Sequence, residues 1–276
     1  MRSDHSPSDA DRRRRGVTRR RLLEVAAGAA TAAVASAFAL RVSEKTTASS
    51  AIVDGKTNTA TATITNATRA QPSMPIVLQS AVSGVMLCRD AWGALPPKPG
   101  GKLHTLSRMT LHHTGVLLGD NRLAPARLRQ HQRLHQSEHG WIDIAYHVSV
   151  DRHGNIYELR SPSLAGDSAT SYDPTGHFLV LCEGDFDNES VSDAQLDGIA
   201  LVFAWASQTF ALQTDTLEGH RDFASTACPG ASLYDRLTSG DLKRRIDSLS
   251  AEGPITLRRI CGPEALAKVA AIEAGN

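Results

Sequence analysis

Two histidines and a cysteine in this 276-residue chain have the side-chain chemistry of a metal site. His112 ends a predicted strand, and His220 and Cys228 lie eight residues apart in one later segment. A catalytic zinc ion takes three protein ligands from the His, Cys and carboxylate set and keeps a fourth position for water, whose pKa it lowers to about 7. The three side chains therefore match the ligand count of a hydrolytic zinc site.

Spacing alone does not establish this metal site. A single histidine on a strand is usually a core or surface residue, and a single cysteine is usually a packing residue. The chain has 11 histidines, and the spacing of His220 and Cys228 matches no local zinc-finger pattern. From the spacing, ordinary packing remains the alternative.

Strands alternate with helices in the part of the chain that carries these residues. Runs of apolar residues predict four strands, over 108–112, 144–151, 156–159 and 177–183. Helical patterns predict one helix over 125–137 and a longer one that begins at the capping box of Ser192 and Gln195 and ends near Phe210. A hairpin turn at 151–155 joins two strands, whereas the others are joined through helices. The sequence therefore predicts an α/β fold with a central mixed β-sheet flanked by helices, in a single catalytic domain.

Four regions of the chain follow one another in an order that is typical of one family. They are 89–94 (RDAWGA), 111–114 (LHHT), 141–147 (WIDIAYH), and 219–222 (GHRD) with 226–230 (TACPG). In this order they resemble the peptidoglycan recognition protein and type-2 N-acetylmuramoyl-L-alanine amidase family, which includes phage T7 lysozyme. The resemblance extends from about Cys88 to Tyr234.

This resemblance implies a zinc-dependent enzyme that hydrolyses the amide bond between N-acetylmuramic acid and L-alanine in peptidoglycan. By the resemblance, His112, His220 and Cys228 are the Zn²⁺ ligands, and Tyr146 and Thr226 are the catalytic residues. The tyrosine would orient the attacking water or relay its proton, and the threonine would stabilise the developing oxyanion. A threonine hydroxyl is a weaker electrophile than the lysine ammonium that some members have there.

Two other classes of function are compatible with the same regions. A recognition module would bind peptidoglycan without cutting it, but such family members tend to lack the thiolate ligand, which this chain has as Cys228. An interaction protein with a structural zinc would need a fourth protein ligand, and the motifs supply none. The amidase is the favoured prediction.

The amino terminus resembles a twin-arginine export signal. Arg19 and Arg20 follow Thr18, and an uncharged Ala-rich run occupies 25–40, with small-residue cleavage candidates. The run of about 16 residues is shorter than the roughly 20 that span a bilayer, which favours cleavage over an uncleaved anchor. We therefore expect export to the cell wall or the extracellular space, with membrane contact only through an uncleaved signal segment.

The charge of the remaining chain argues against a nucleic-acid partner. Residues 1–24 hold eight of the 30 basic and four of the 29 acidic residues, so the remainder has a net charge of −3. Nucleic-acid binding requires a basic surface. The expected partner is peptidoglycan, and no pattern in the sequence predicts an oligomeric state.

Composition divides the chain into four parts. We expect a twin-arginine-type signal segment over 1–40, a Ser/Thr/Ala-rich linker over 41–84, the zinc amidase domain over 85–250 and a C-terminal tail over 251–276. The tail includes a short apolar helix candidate at 263–272. Within the domain, the chain departs from the family at 165–176, where many relatives have a Gly-Ala-His segment. This loop is expected to line the peptide side of the groove.

Residues beside the predicted ligands have structural roles in this interpretation. Adjacent strand residues point to opposite faces, so His113 and His147 are predicted to pack rather than bind metal. Arg221 and Asp222 are predicted to brace the zinc loop. Glu183, at the end of a strand, is a candidate general base that ranks below Tyr146.

The large aromatic residues and the remaining cysteines carry weaker predictions. Trp92 and Trp141 could be core anchors or part of a glycan-contacting groove, and the core is favoured because large aromatic side chains dominate burial. Cys88, Cys182 and Cys261 remain when the candidate ligand is set aside, and one disulfide among them is compatible with export. The sequence does not choose the pair.

Overall fold

The computed structural model describes residues 81–276. The predicted signal segment (1–40) and the predicted linker up to residue 80 lie outside the described residues. Within 81–276, no helix combines the length and the apolar composition that crossing a membrane requires.

A mixed seven-stranded sheet forms the centre of the fold, in the order β6-β2-β5-β3-β4-β1-β7. The strands are β1 (Val82–Leu87), β2 (Arg108–His113), β3 (Val148–Val150), β4 (Ile156–Glu158), β5 (His177–Cys182), β6 (Leu217–Gly219) and β7 (Ile255–Ile260). The hairpin strands β3 and β4 are antiparallel, and the other neighbouring strands are parallel. The prediction of an α/β fold with a central mixed sheet is confirmed.

Within residues 81–276, five α-helices cover the two faces of this sheet. They are α1 (Ala124–Ser137), α2 (Asp193–Phe210), α3 (Ala231–Thr238), α4 (Asp241–Glu252) and α5 (Gly262–Glu273). The predicted start of α2 is present, since Ser192 Oγ accepts a hydrogen bond of 3.1 Å from Gln195 N. This side-chain acceptor satisfies one of the amide groups that a helix start leaves without a partner.

Alternate residues of β5 pack into two different hydrophobic cores, as side chains of a strand point to opposite faces. Val180 and Cys182 pack with the apolar residues of α2, α3 and α4. Leu181 packs with Leu128 of α1, Trp92 and the buried residues of α5. All three strand residues are fully buried, so β5 is the centre of the domain.

The two ends of the domain differ from the predicted boundaries. β1 begins at Val82, within the predicted linker, and β7 and α5 lie in the segment 251–276 that was expected to be a tail. β7 pairs with β1 along its whole length, from Val82 opposite Ile255 to Leu87 opposite Ile260. The sequence pattern does not predict this strand, because β7 is an edge strand with one buried face and two adjacent arginines interrupt its apolar alternation.

A disulfide between Cys88 and Cys261 joins the ends of β1 and β7. Cys261 directly precedes α5, whose residues Ala265, Val269 and Ile272 are buried in the core beside α1. Cys182, the third candidate, is fully buried in β5 with a free thiol. Burial within the sheet therefore separates Cys182 from the other two cysteines.

Candidate metal centre

Two adjacent parallel strands bring the two predicted histidine ligands together. β2 and β6 pair in the register that puts Leu111 opposite Gly219. The next residue along each strand is His112 in β2 and His220 directly after β6. The carboxyl ends of these strands therefore hold both imidazoles at one edge of the sheet, with ring centroids 4.8 Å apart.

The third predicted ligand, Cys228, completes a compact cluster with the two histidines. One ligand atom from each of His112, His220 and Cys228 lies within 4.8 Å of the others. Cys228 Sγ is 3.7 Å from His112 Nδ1, and all three residues are buried. In the described part of the chain, the other such cluster includes Cys88 and Cys261, whose sulfur atoms form the disulfide.

Hydrogen bonds close the loop that carries Cys228. Asp222 accepts from Gly219 N at 2.7 Å and from the Tyr234 hydroxyl at 2.6 Å. Arg221 N donates to Cys228 O at 2.9 Å, and the Arg221 guanidinium lies over the Tyr234 ring at 4.5 Å. These contacts are the bracing that the sequence predicts for Arg221 and Asp222.

The protonation states of the cluster suit a divalent cation. Burial first, and then the neighbouring His220, hold the pKa of His112 well below its usual value, and burial also lowers the pKa of His220. Both imidazoles are therefore neutral and keep a nitrogen lone pair. His112 Nε2 is buried and has no hydrogen-bond partner among the described residues.

The Cys228 thiol is the third candidate metal donor, and it would bind a cation as a thiolate. Burial raises its pKa to about 12, so the thiolate needs a nearby positive charge. A bound zinc ion stabilises such a thiolate directly. Two neutral nitrogen donors and one buried thiol therefore fit the donor set of a zinc site with an open fourth position.

A cavity of about 260 Å³ opens over this cluster, and Tyr146 and Thr226 are among its lining residues. The Tyr146 ring centroid is 5.1 Å from that of His112. Burial, followed by the Cys228 thiol and Glu183, raises the pKa of Tyr146, so the phenol stays protonated. Thr226 Oγ1 accepts a hydrogen bond of 3.2 Å from Cys228 N. Tyr146 and Thr226, the two predicted catalytic residues, thus line the cavity that also contains the three candidate ligands.

His113 and His147 use their rings in local packing. His113 Nδ1 accepts from Phe186 N at 3.4 Å, and the two rings are stacked. His147 Nδ1 accepts from Leu179 N at 3.0 Å, and its Nε2 lies 3.0 Å from Leu164 O. Both ring nitrogens of His147 are therefore bonded to the backbone.

A second cavity of about 430 Å³ adjoins the first and shares Trp141, Asp167 and Ser168 with its lining. The sequence favours a core position for Trp141, but its ring is half-buried and stacks on exposed His139 at 4.5 Å. Trp92, in contrast, is fully buried, as predicted. Large aromatic side chains line grooves as well as cores, and Trp141 lies in the segment between α1 and β3 rather than within a helix or strand.

The sequence interpretation missed the histidines of the cavity wall. His135 and His139 both line the first cavity, and His135 Nδ1 accepts from Ala145 N at 3.1 Å. The pattern that could have identified them is the four-residue spacing of His131, His135 and His139, which puts them on one side of α1 and its extension.

Glu183, the lower-ranked candidate base, directly follows β5 and is not among the residues that line the cavity over the cluster. Its side chain is 1% exposed, and Oε1 accepts from Ser149 Oγ at 3.2 Å. Oε2 has no hydrogen-bond partner in the described part of the chain. Burial raises the pKa of Glu183 from its ordinary value of 4.5 to about 8.

We expect Glu183→Gln to stabilise the protein at pH 8. Between about pH 4.5 and 8 the folded state keeps the Glu183 proton and the unfolded state loses it, so the free energy of unfolding of the wild type falls as pH rises. The neutral amide removes this contribution, which is on the order of a few kcal/mol. Urea unfolding at pH 5, 6.5 and 8 measures the difference. The control is Glu264→Gln, which alters an exposed ion pair with Arg258, and a constant difference between wild type and Glu183→Gln across this range would contradict the prediction.

The fold and the site together define an α/β domain with a candidate His, His, Cys metal centre beneath an open cavity. Residues 103–231 match the family described as N-acetylmuramoyl-L-alanine amidase. Over these residues the chain is similar to the peptidoglycan recognition protein and N-acetylmuramoyl-L-alanine amidase family.

Known relatives include both recognition proteins and amidases. Peptidoglycan recognition protein 1 of Mus musculus is 27% identical over 154 residues, which cover 55% of this chain and 85% of the mouse protein. An N-acetylmuramoyl-L-alanine amidase of Sus scrofa is 35% identical over 158 residues, which cover 54% of this chain and 26% of the pig protein. The match thus spans about a quarter of the pig enzyme.

A solved structure is similar over the same part of the chain. Peptidoglycan recognition protein LE, in complex with tracheal cytotoxin, a monomeric diaminopimelic acid-type peptidoglycan, has a TM-score of 0.51 and is 25% identical. The similarity covers 56% of this chain and 92% of that chain. Since these relatives include both recognition proteins and an amidase, the similarity alone does not distinguish the two activities.

Proposed function

We propose that this protein is an exported zinc-dependent N-acetylmuramoyl-L-alanine amidase, which hydrolyses the amide bond between N-acetylmuramic acid and L-alanine in peptidoglycan. The observation that carries the proposal is the buried cluster of His112, His220 and Cys228, whose ligand atoms lie within 4.8 Å of one another under an open cavity. Three ligands and an accessible fourth position are the arrangement of catalytic rather than structural zinc. The family match over 103–231 supports the same activity.

Different residues of the chain would bind the metal ion and orient the reacting groups. A bound zinc ion supplies a Lewis acid and lowers the pKa of water to about 7. His112 and His220 would hold the ion through neutral nitrogens, and Cys228 through its thiolate. Tyr146, which stays protonated, can accept a hydrogen bond from the attacking water or donate one to the substrate.

Thr226 would stabilise the negative charge that develops on the amide oxygen. Its Oγ1 already accepts from Cys228 N, so its own hydroxyl proton is free to be donated into the cavity. A donor fixed in place before the reaction stabilises an oxyanion without reorganisation. This hydroxyl is the group that the chain offers for that role.

The expected substrate is a muramyl peptide. The structural relative named above is bound to a monomeric peptidoglycan, and two adjoining cavities of about 260 and 430 Å³ give this chain room for a sugar and a peptide on either side of the cleaved bond. The predicted twin-arginine-type signal would deliver the enzyme to the compartment that contains the cell wall. The alternative function is a recognition module that binds the same ligand without hydrolysis.

Mass spectrometry of purified peptidoglycan, digested by the zinc-loaded protein, tests the proposal. We expect release of stem peptides with a free L-alanine amine, loss of this product after chelation and its return when zinc is added back. Sedimentation of the protein with peptidoglycan is measured in parallel. Binding without release of the amine would overturn the amidase and favour the recognition module.

A further inference from the structure

The loop between β4 and β5 reaches the candidate metal centre through Thr170. Thr170 Oγ1 lies 3.0 Å from His220 Nε2, across 50 residues of sequence, and Thr170 lines the same cavity as His220. The loop is also the part of the domain where the chain departs from its family, at 165–176, so the resemblance assigns Thr170 no role. Its contact with His220 is a property of this chain.

The hydrogen bonds around Thr170 give its hydroxyl a complete set of partners. Oγ1 lies 2.8 Å from Ser168 Oγ and accepts from Tyr172 N at 3.4 Å. Ser168 Oγ in turn accepts from Thr170 N at 3.2 Å. A threonine hydroxyl has one proton and two lone pairs. If the proton goes to Ser168 Oγ, the two lone pairs accept from Tyr172 N and from a protonated His220 Nε2.

The protonation of His220 decides whether its other nitrogen can bind a metal. With the proton on Nε2, directed at Thr170, Nδ1 keeps the lone pair that a cation needs. With the proton on Nδ1, that nitrogen would have no lone pair for a cation, and Thr170 would have to donate to Nε2. Metal-binding histidines usually donate their second ring N–H to a fixed acceptor, which sets the tautomer and the ring orientation.

We infer that Thr170, oriented by Ser168, is a positioning residue that holds His220 in the tautomer whose Nδ1 faces the metal. The inference rests on the proposed zinc site. His112 offers a parallel, because its Nδ1 is the nitrogen 3.7 Å from Cys228 Sγ. His112 differs in that its Nε2 has no partner among the described residues. Thr170 therefore orients one of the two imidazoles, and its removal leaves His220 without this constraint.

Zinc affinity and the imidazole tautomer together test this role. Zinc binding to the full chain is measured by competition with a chromophoric chelator, and the His220 tautomer by ¹⁵N NMR of the metal-free protein. We expect Thr170→Val, which removes the hydroxyl at nearly constant shape, to weaken zinc binding by about 10- to 100-fold and to lose the single Nε2–H tautomer. Thr170→Ser keeps the hydroxyl and should restore both.

Further variants separate positioning from general damage. Ser168→Ala keeps Thr170 but removes the acceptor of its hydroxyl proton, so it should weaken zinc binding less than Thr170→Val does. Thr238→Val removes a hydroxyl that donates to Tyr234 O in α3 and should leave zinc binding unchanged. Wild-type zinc affinity and tautomer in Thr170→Val would overturn the inference, even if the enzyme hydrolyses peptidoglycan. A wild type that binds zinc without hydrolysis would overturn the amidase proposal alone.

Discussion

Replacing Cys228 with serine is expected to lower amide hydrolysis by more than about 100-fold, the upper end of the loss when a residue behind a metal ligand is removed. Cys228 is the member of the candidate ligand cluster that would bind zinc as an anion, and a serine hydroxyl does not ionise to replace its thiolate. The affinity for zinc should fall together with the rate of hydrolysis, because the neutral imidazoles of His112 and His220 supply no negative charge to balance that of the cation. Product release measured by mass spectrometry and zinc affinity measured by chelator competition check both losses.

The same substitution should leave the metal-free fold intact. Cys228 Sγ accepts a hydrogen bond from His113 N at 3.4 Å, and a serine oxygen can accept it as well. Thermal unfolding with and without zinc distinguishes the zinc-bound protein from the metal-free protein. Zinc at a roughly 100-fold excess over its Kd stabilises a folded protein by about 2.7 kcal/mol, and this gain should be absent from Cys228→Ser. His153→Ala, which changes an exposed histidine, is the matched control. Zinc-dependent stabilisation and hydrolysis in Cys228→Ser would exclude Cys228 as a ligand.

Long periodic elements of this fold are predictable from the sequence, and short edge elements are not. β2, β5, α1 and α2 begin and end within about two residues of the predicted bounds, because each carries a sustained apolar pattern. β6 has three residues, too few for a pattern. Its place in the sheet depends on pairing with β2, a contact between distant parts of the chain.

The candidate site divides in the same way. His112, His220 and Cys228 are found through local motifs that resemble a family, and the structure brings their ligand atoms within 4.8 Å. Thr170 has no such motif, because its role depends on a contact between the loop that precedes β5 and His220, 50 residues further along the chain. Local sequence describes the ligands, whereas the groups that orient them come from tertiary packing.

The Cys88–Cys261 disulfide is expected to carry a large share of the stability of the domain. The two cysteines are 173 residues apart, so the bond restricts a long loop of the unfolded chain. We expect Cys88→Ala combined with Cys261→Ala to lower the free energy of unfolding by about 2–5 kcal/mol. For a domain of this size, such a loss lowers Tm by about 4–20 °C. Calorimetry of the wild type and the double variant measures the shift.

The disulfide lies far from the candidate metal centre, so its removal should lower the stability of the domain without changing zinc binding. β7 and β6 lie at opposite edges of the sheet, and His112 and His220 lie at the β6 side. Zinc affinity at a temperature where both proteins are folded should therefore match the wild type. A reductant supplies the control, since it should lower the Tm of the wild type and leave that of the double variant unchanged. An unchanged wild-type Tm under reducing conditions would mean that the pairing of β7 with β1 and the packing of α5 hold this edge without the covalent bond.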